Sequence, residues 1–341
     1  MIKAVDLFCG AGGLTHGLEL AGIEVVAGYD IEGSCRFAYE QNNNSMFIQK
    51  DVALVTKEEI EKHFVGADYT LLAGCAPCQP FSRYNVGKDV TKDKKWPLLY
   101  HFSRLIKETS PDFVTMENVP DVIRHSVYGD FVQELEDLGY QVSAQKVYCP
   151  DYGMPQERKR HVLLASRQNT IELLPPTHKK GEYVTVRDVI SKLPRLQAGK
   201  QNKNDPLHRC ASLSDINMKR MKASKQGGTW MDWPEELRAP CHRKSSGATY
   251  KSVYARMSYD SPSPTMTTQC FGYGNGRFGH PTQNRAISLR EAAIFQTFPP
   301  DYKFTPDNEM PSLTSLGRMI GNAVPVKLGE VIGASILRSL S

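Results

Sequence analysis

The sequence predicts an α/β fold: a mostly parallel sheet covered on both faces, followed by a second, smaller and irregular region. Three observations predict it. Strand-like and helix-like segments alternate over the first 170 residues. Runs such as Tyr69–Ala73 and Asp112–Met116 are apolar, as strands inside an α/β sheet are. The alternation then breaks near Leu174-Pro175-Pro176. With 341 residues, the chain is long enough for two domains.

The elements follow in order. Lys3–Phe8 is a short strand ending in glycines, and Gly12–Ala21 is a helix with Leu14, Leu18 and Ala21 on one face. Glu24–Tyr29 is the second strand, followed by a helix through Ala38, and a third strand-like segment precedes Asp51. The helical stretch Leu98–Glu108 lies between the strands Tyr69–Ala73 and Asp112–Met116. Phe131–Leu138 reads as a helix, and Gln141–Tyr148 and His161–Ser166 as closing strands. From there to about residue 285 the chain is basic and rich in Gly, Ser and Pro. Long glycine-rich loops are uncommon unless they carry function. Ser288–Phe295 is a helix opened by the capping box Ser288…Glu291, and Val326–Leu340 is the last helix.

Composition excludes wholesale disorder: 40% of residues are hydrophobic and 23% charged. No apolar run approaches the roughly 18 residues of a membrane span. The net charge is +5, unevenly spread. Residues 179–256 hold 17 Lys+Arg and 7 Asp+Glu, while the remainder is acidic on balance. Such a segment is either a solvated basic surface or a polyanion-binding one. The eight cysteines include one C-x-x-C pair, Cys75 and Cys78, with no second pair and no His at finger spacing. A structural zinc site is not expected. Scattered thiols without a secretory leader point to a reducing, cytoplasmic location.

Four motifs carry chemistry. Asp6-Leu7-Phe8-Cys9-Gly10-Ala11-Gly12-Gly13-Leu14 takes a strand through a glycine turn into a helix, where a ligand can approach the backbone. Thr15 stands where a dinucleotide fingerprint has its third glycine, which weakens a pyrophosphate reading. Asp30, 20 residues beyond Gly10, is placed to bond ribose hydroxyls, and Asp51 follows the third strand. Together they suit a nucleoside-containing cofactor without a required phosphate; a structural glycine turn with two surface acids is the alternative. Gly74-Cys75-Ala76-Pro77-Cys78-Gln79-Pro80-Phe81-Ser82 follows a strand's carboxyl end, where open α/β sheets place reactive groups. A redox pair is disfavoured by Pro80, and a zinc deaminase would need an upstream H-x-E. Glu117-Asn118-Val119 offers a general acid or a surface acid, and Gln156-Glu157-Arg158-Lys159-Arg160 two arginines on one side of an extended segment, or a solvated basic run. A cysteine, a carboxylate and arginines beside a nucleoside pocket suit attack on an electron-poor ring.

Taken in order with Arg290-Glu291-Ala292-Ala293-Ile294-Phe295-Gln296-Thr297-Phe298-Pro299 and Gly321-Asn322-Ala323-Val324-Pro325, these motifs resemble those of DNA (cytosine carbon-5) methyltransferases of bacterial restriction–modification type, from residue 6 to residue 325. The resemblance implies a Rossmann-like S-adenosylmethionine-dependent domain (residues 1–175 and 312–341) and an irregular, β-rich target-recognition domain (residues 176–311). It implies that Cys78 adds to carbon 6 of a flipped-out cytosine. Glu117 contacts the ring nitrogen, Arg158 orients Glu117, Arg160 holds the carbonyl oxygen, and the Ala76 carbonyl accepts from the exocyclic amine. Phe8, Gly10, Ala11, Gly12, Gly13, Asp30, Ile31, Asp51, Val52, Leu98, Asn322 and Val324 match cofactor-pocket positions. Among these, Asp30 is expected on the ribose, Asp51 on the adenine amine and Ile31 on the adenine face, where the family often has an aromatic residue. The product is S-adenosylhomocysteine, and no metal is implied. The loop from Arg83 to Trp96 resembles the family's mobile loop over DNA. Duplex DNA is the implied partner of a monomer, with a separate restriction endonuclease acting on the same site and no membrane association. RNA methylation is the alternative within the family: a transfer-RNA branch carries Cys-Phe-Thr, and here Cys270-Phe271 is followed by Gly272. An inactive DNA-binding regulator is the alternative outside catalysis.

Overall fold

The computed structural model describes residues 1–77, 97–244, 247, 251–307 and 309–340. Cys78 and the loop Arg83–Trp96 lie outside the described residues. The chain divides into two units: residues 1–148, 159–176 and 323–341, and residues 149–158 and 177–322.

The first unit is built on seven strands: β1 (Ile2–Leu7), β2 (Glu24–Asp30), β3 (Met46–Gln49), β4 (Tyr69–Gly74), β5 (Phe113–Asn118), β6 (Gln141–Tyr148) and β7 (Lys159–Ser166). Their order across the sheet is β3-β2-β1-β4-β5-β7-β6. The first five are parallel, while β7 runs antiparallel to both β5 and β6. The order reverses between β1 and β4, and ligands of open α/β sheets bind at that crevice, outside the carboxyl ends of the strands. Because β7 is antiparallel, its amino end sits at that same edge, so Arg160 reaches it from β7 as Glu117 does from β5.

Helices cover both faces. On one face Val5, Leu7, Leu72 and Val114 pack with α3 (Lys57–Phe64; helix α2, Arg36–Asn42, precedes it), α4 (Leu98–Thr109) and α5 (Ser126–Asp137) through Ile60, Phe102, Leu105 and Phe131. On the other, α1 (Gly13–Ala21) lies over β1, where Thr15 Oγ1 donates to Asp6 Oδ2 at 2.7 Å. Burying a side chain of this size stabilises by roughly 1.5–3 kcal/mol, so these two layers supply most of the driving force.

The second unit contains α6 (Val186–Ile190), α7 (Asp215–Ala223), α8 (Leu289–Phe295) and α9 (Leu313–Asn322). The β-rich expectation is not met here: among its described residues there are helices, 3₁₀ turns and only isolated bridges such as Arg256↔Gly279. Its loops are held by buried side chains in place of a ladder. Arg256 donates to the carbonyls of Met221, Ser224, His280 and Gln283, and Arg285 forks onto Glu291 at 2.7 and 2.8 Å. Trp230 stacks on His242, and Arg290 pairs with Asp205 at 2.7 Å. The boundary also differs from the expected residue 312, since α9 belongs to this unit and the chain returns to the first unit at Ala323.

Helix α10 (Val326–Arg338) then packs on α1. The approach is close because Gly17 has no Cβ: one placed there would overlap the Val326 carbonyl oxygen and the backbone of Glu330. Against expectation, Leu313–Arg338 is long and apolar enough to cross a membrane, with mean hydropathy 1.3. However, Ala323–Pro325 interrupts it, and its most apolar part is mostly buried inside the protein.

Candidate active site

The crevice between β1 and β2 starts from strained backbone. Phe8 has φ +61°, Gly10 +52° and Gly12 +88°. Only the glycines take that region without cost, so the turn after β1 folds back tightly before α1. Asp30, at the end of β2, anchors it: Oδ2 accepts from the Gly10 N–H and Oδ1 from the Glu32 N–H, both at 2.8 Å. Burial raises the Asp30 pKa. With its first glycine amide already bound to a carboxylate, this turn offers a phosphate repulsion where a dinucleotide site offers a free N–H. That favours a nucleoside with ribose hydroxyls and no phosphate.

Gly13 lies against the end of the chain, where a Cβ would overlap the Val324 carbonyl oxygen; Val324 and Ala11 are buried. Asp51 caps the short turn Val52–Leu54, accepting from the Ala53 N–H at 3.0 Å. Val52 is buried, and its carbonyl accepts from Arg104 of α4. Ile31 is 68% exposed and Leu98, the first residue of α4, is half-buried. These residues all belong to the first unit. Asn322 does not: it is an exposed residue at the end of α9, in the second unit.

The second crevice lies at the ends of β4, β5 and β7. Glu117 and Arg160 are almost wholly buried, with Arg160 Nε 2.6 Å from Glu117 Oε1. The other carboxylate oxygen, Oε2, accepts from the Cys75 thiol at 2.8 Å. Asn118 donates from Nδ2 to the Ala76 carbonyl at 3.1 Å and accepts from the Val119 N–H through Oδ1. The loop leading into Pro77 and Cys78 is therefore tied to β5. Arg158 lies in the second unit, buried, and donates to the Met266 carbonyl at 2.9 Å. Within the first unit, the contact to the carboxylate that the resemblance assigns to Arg158 is made by Arg160. Among the described residues no three His, Cys, Asp or Glu side chains gather as a metal ion would need.

A family model described as C-5 cytosine-specific DNA methylase matches residues 2–338. The chain belongs to that family. This methylase is 53% identical over 344 residues to the type II methylase M.HgiDII of Herpetosiphon aurantiacus, covering 100% of this chain and 96% of the relative. It is 31% identical to the type II methyltransferase M1.HphI of Haemophilus parahaemolyticus, covering 98% and 86%. The solved structure of the Entamoeba histolytica methyltransferase EhMeth shares its fold at TM-score 0.72 and 14% identity, covering 100% and 99% of the two chains. The methylase transfers a methyl group from S-adenosylmethionine to carbon 5 of cytosine in DNA.

Three residues of the methylase that matter here were not singled out from sequence. Asn118 sat inside the Glu-Asn-Val motif, and its side-chain tie to Ala76 depends on β4 lying next to β5. The same adjacency brings Cys75 to Glu117. Asp6, beneath the glycine turn, has one oxygen on Thr15, and among the described residues its Oδ1 accepts no hydrogen bond. The signal for Asp6 was available: an acid inside an apolar strand four residues before the first glycine of the turn.

Proposed function

We propose that this methylase acts on a flipped-out cytosine in a specific duplex sequence through a covalent adduct of Cys78. What carries this reading is the buried Glu117–Arg160 pair at the carboxyl edge of the sheet, with the Cys75–Ala76 backbone leading from the same edge to Cys78. A cytosine stacked in a duplex cannot present carbon 6 to a side chain, so the base must leave the stack.

The Cys78 thiolate forms a bond to carbon 6 while Glu117 gives a proton to the ring nitrogen, which makes carbon 6 electrophilic. Arg160 holds the cytosine carbonyl oxygen and the charge of Glu117 together, using the several donors of one guanidinium. The Ala76 carbonyl has two lone pairs; one is used by Asn118, and the other takes the exocyclic amine. Addition at carbon 6 turns carbon 5 into a nucleophile, which gains the methyl group. Loss of the carbon-5 proton then restores the double bond and releases Cys78, and the ring nitrogen returns its proton to Glu117.

The cofactor fits the first crevice. Asp30 offers carboxylate lone pairs to ribose hydroxyls, Asp51 to the adenine amine, and Ile31 an exposed apolar side chain to the adenine face. Phe8, the Gly10–Gly13 turn, Val52, Leu98 and Val324 would line the rest. Bound there, S-adenosylmethionine supplies the methyl group and leaves as S-adenosylhomocysteine. The second unit, which holds the whole basic stretch 179–256, is the target-recognition domain. The type II names of its relatives support a role beside a separate restriction endonuclease. In this reading the protein works in the cytoplasm, as a monomer and without a metal.

Bisulfite sequencing of DNA from cells expressing the chain tests this directly. Protected cytosines in one short sequence, absent with Cys78→Ser, are expected. Equal protection in that variant would overturn the mechanism, and protection scattered without sequence context would overturn the recognition reading.

A further inference from the structure

We infer that Cys75 is a positioning residue for the reaction: its thiol fixes the carboxyl plane of Glu117. Three observations carry this. The Cys75 Sγ donates to Glu117 Oε2 at 2.8 Å. Arg160 Nε lies 2.6 Å from Oε1, yet Oε1 accepts no hydrogen bond among the described residues, because the Nε–H does not point along that line. The guanidinium therefore supplies charge, and the thiol supplies the directional bond. Glu117 itself is in the interior, where water cannot take over that bond.

Cys75 is held for this task. Its backbone N–H donates to the Leu7 carbonyl at 3.3 Å, which continues the β1–β4 ladder one residue past the strand. The next residue, Ala76, is tied to Asn118 on β5. The donor and acceptor thus sit on neighbouring strands of a rigid sheet. A carboxyl that must give a proton to one ring nitrogen needs a fixed plane, and misplacement by about 1 Å can cost on the order of 100-fold in rate. Of the cysteines other than Cys78, which the sequence leaves as ordinary thiols, Cys75 has chemistry to do without being the nucleophile.

This inference rests on Glu117 acting at the ring nitrogen, so the test separates the two. Methyl transfer to a duplex substrate is measured for the wild type and for Cys75→Ala, Cys75→Ser and Glu117→Gln, with melting temperature and S-adenosylmethionine affinity measured on each. Cys75→Ala should lower kcat by about 10- to 100-fold, the loss of one hydrogen bond to a charged group, with KM for DNA and cofactor affinity unchanged. Cys75→Ser keeps a donor and should return kcat to within about threefold of wild type. Wild-type kcat in Cys75→Ala would overturn the inference. So would a Cys75→Ser as slow as Cys75→Ala, which would make the position one of packing. Wild-type kcat in Glu117→Gln would instead overturn the role of Glu117, and this inference with it.

Discussion

Arg160 Nε stands 2.6 Å from Glu117 Oε1, and the pair exists because β7 returns antiparallel beside β5. Neither residue is close to the other in sequence. Arg160→Ala would remove charge that develops against the substrate and leave a buried carboxylate unpaired. A loss of about 10²–10³-fold in kcat is expected, comparable with removing one preorganised donor from an active site. Arg160→Lys keeps the charge beside Glu117 but loses the planar donor set proposed to hold the cytosine carbonyl oxygen, so it should recover little. Steady-state methyl transfer by the two variants checks this.

Asp30 ties the glycine turn through Gly10, and in the proposed function its remaining lone pairs are for the ribose. Asp30→Ala should weaken S-adenosylmethionine binding by about 10- to 100-fold, from roughly 1.5–3 kcal/mol for hydrogen bonds to a charged group. Isothermal titration with the cofactor measures it. Unchanged affinity would place the ribose elsewhere.

Burial pushes the Asp6 carboxyl from its ordinary 3.8 up to about 7. The sign follows from linkage. Between those values the unfolded chain has lost the proton and the folded chain keeps it, so the contribution of Asp6 to stability is full below pH 3.8 and is lost as pH rises toward 7. The loss amounts to at most about 4 kcal/mol. Asp6→Asn mimics the protonated acid and should remove this part of the slope. Denaturant unfolding at pH 5 and pH 7.5 should therefore show a smaller difference in the variant than in the wild type.

Gly17 faces the backbone of α10, and a methyl group there would strike the Val326 carbonyl oxygen. Gly17→Ala gains helix propensity but forces α1 and α10 apart. A net loss of about 1–3 kcal/mol is expected, seen as a lower melting temperature. A higher melting temperature would mean that the helices have room to spare.

The parallel strands were legible because their residues are buried on both faces and apolar, so β1, β2, β4 and β5 fall within about two residues of their expected ends. The start of α5 was missed: Ser126–Asp130 carries Gly129, which hides the helical pattern. Helix α3 was overlooked although Thr56 and Glu59 form a capping box readable from sequence. The second unit was the least legible. Its order comes from side chains such as Arg256 bonding to distant loops and Arg285 bonding to Glu291 of α8, and these leave no periodic trace. In the site, Glu117 and Arg160 could be named from motifs. Their contact, and that of Cys75 with Glu117, depends on which strands become neighbours.

In the proposed reaction Cys78 forms a covalent bond to the target cytosine while Cys75 serves Glu117. The most direct measurement incubates the wild-type chain and S-adenosylmethionine with a duplex carrying 5-fluorocytosine at the target, then maps the trapped adduct by peptide mass spectrometry. Fluorine cannot leave as a proton does, so the adduct should persist, attached to Cys78 and to no other residue. An active enzyme that forms no adduct, or an adduct on Cys75, would contradict the account.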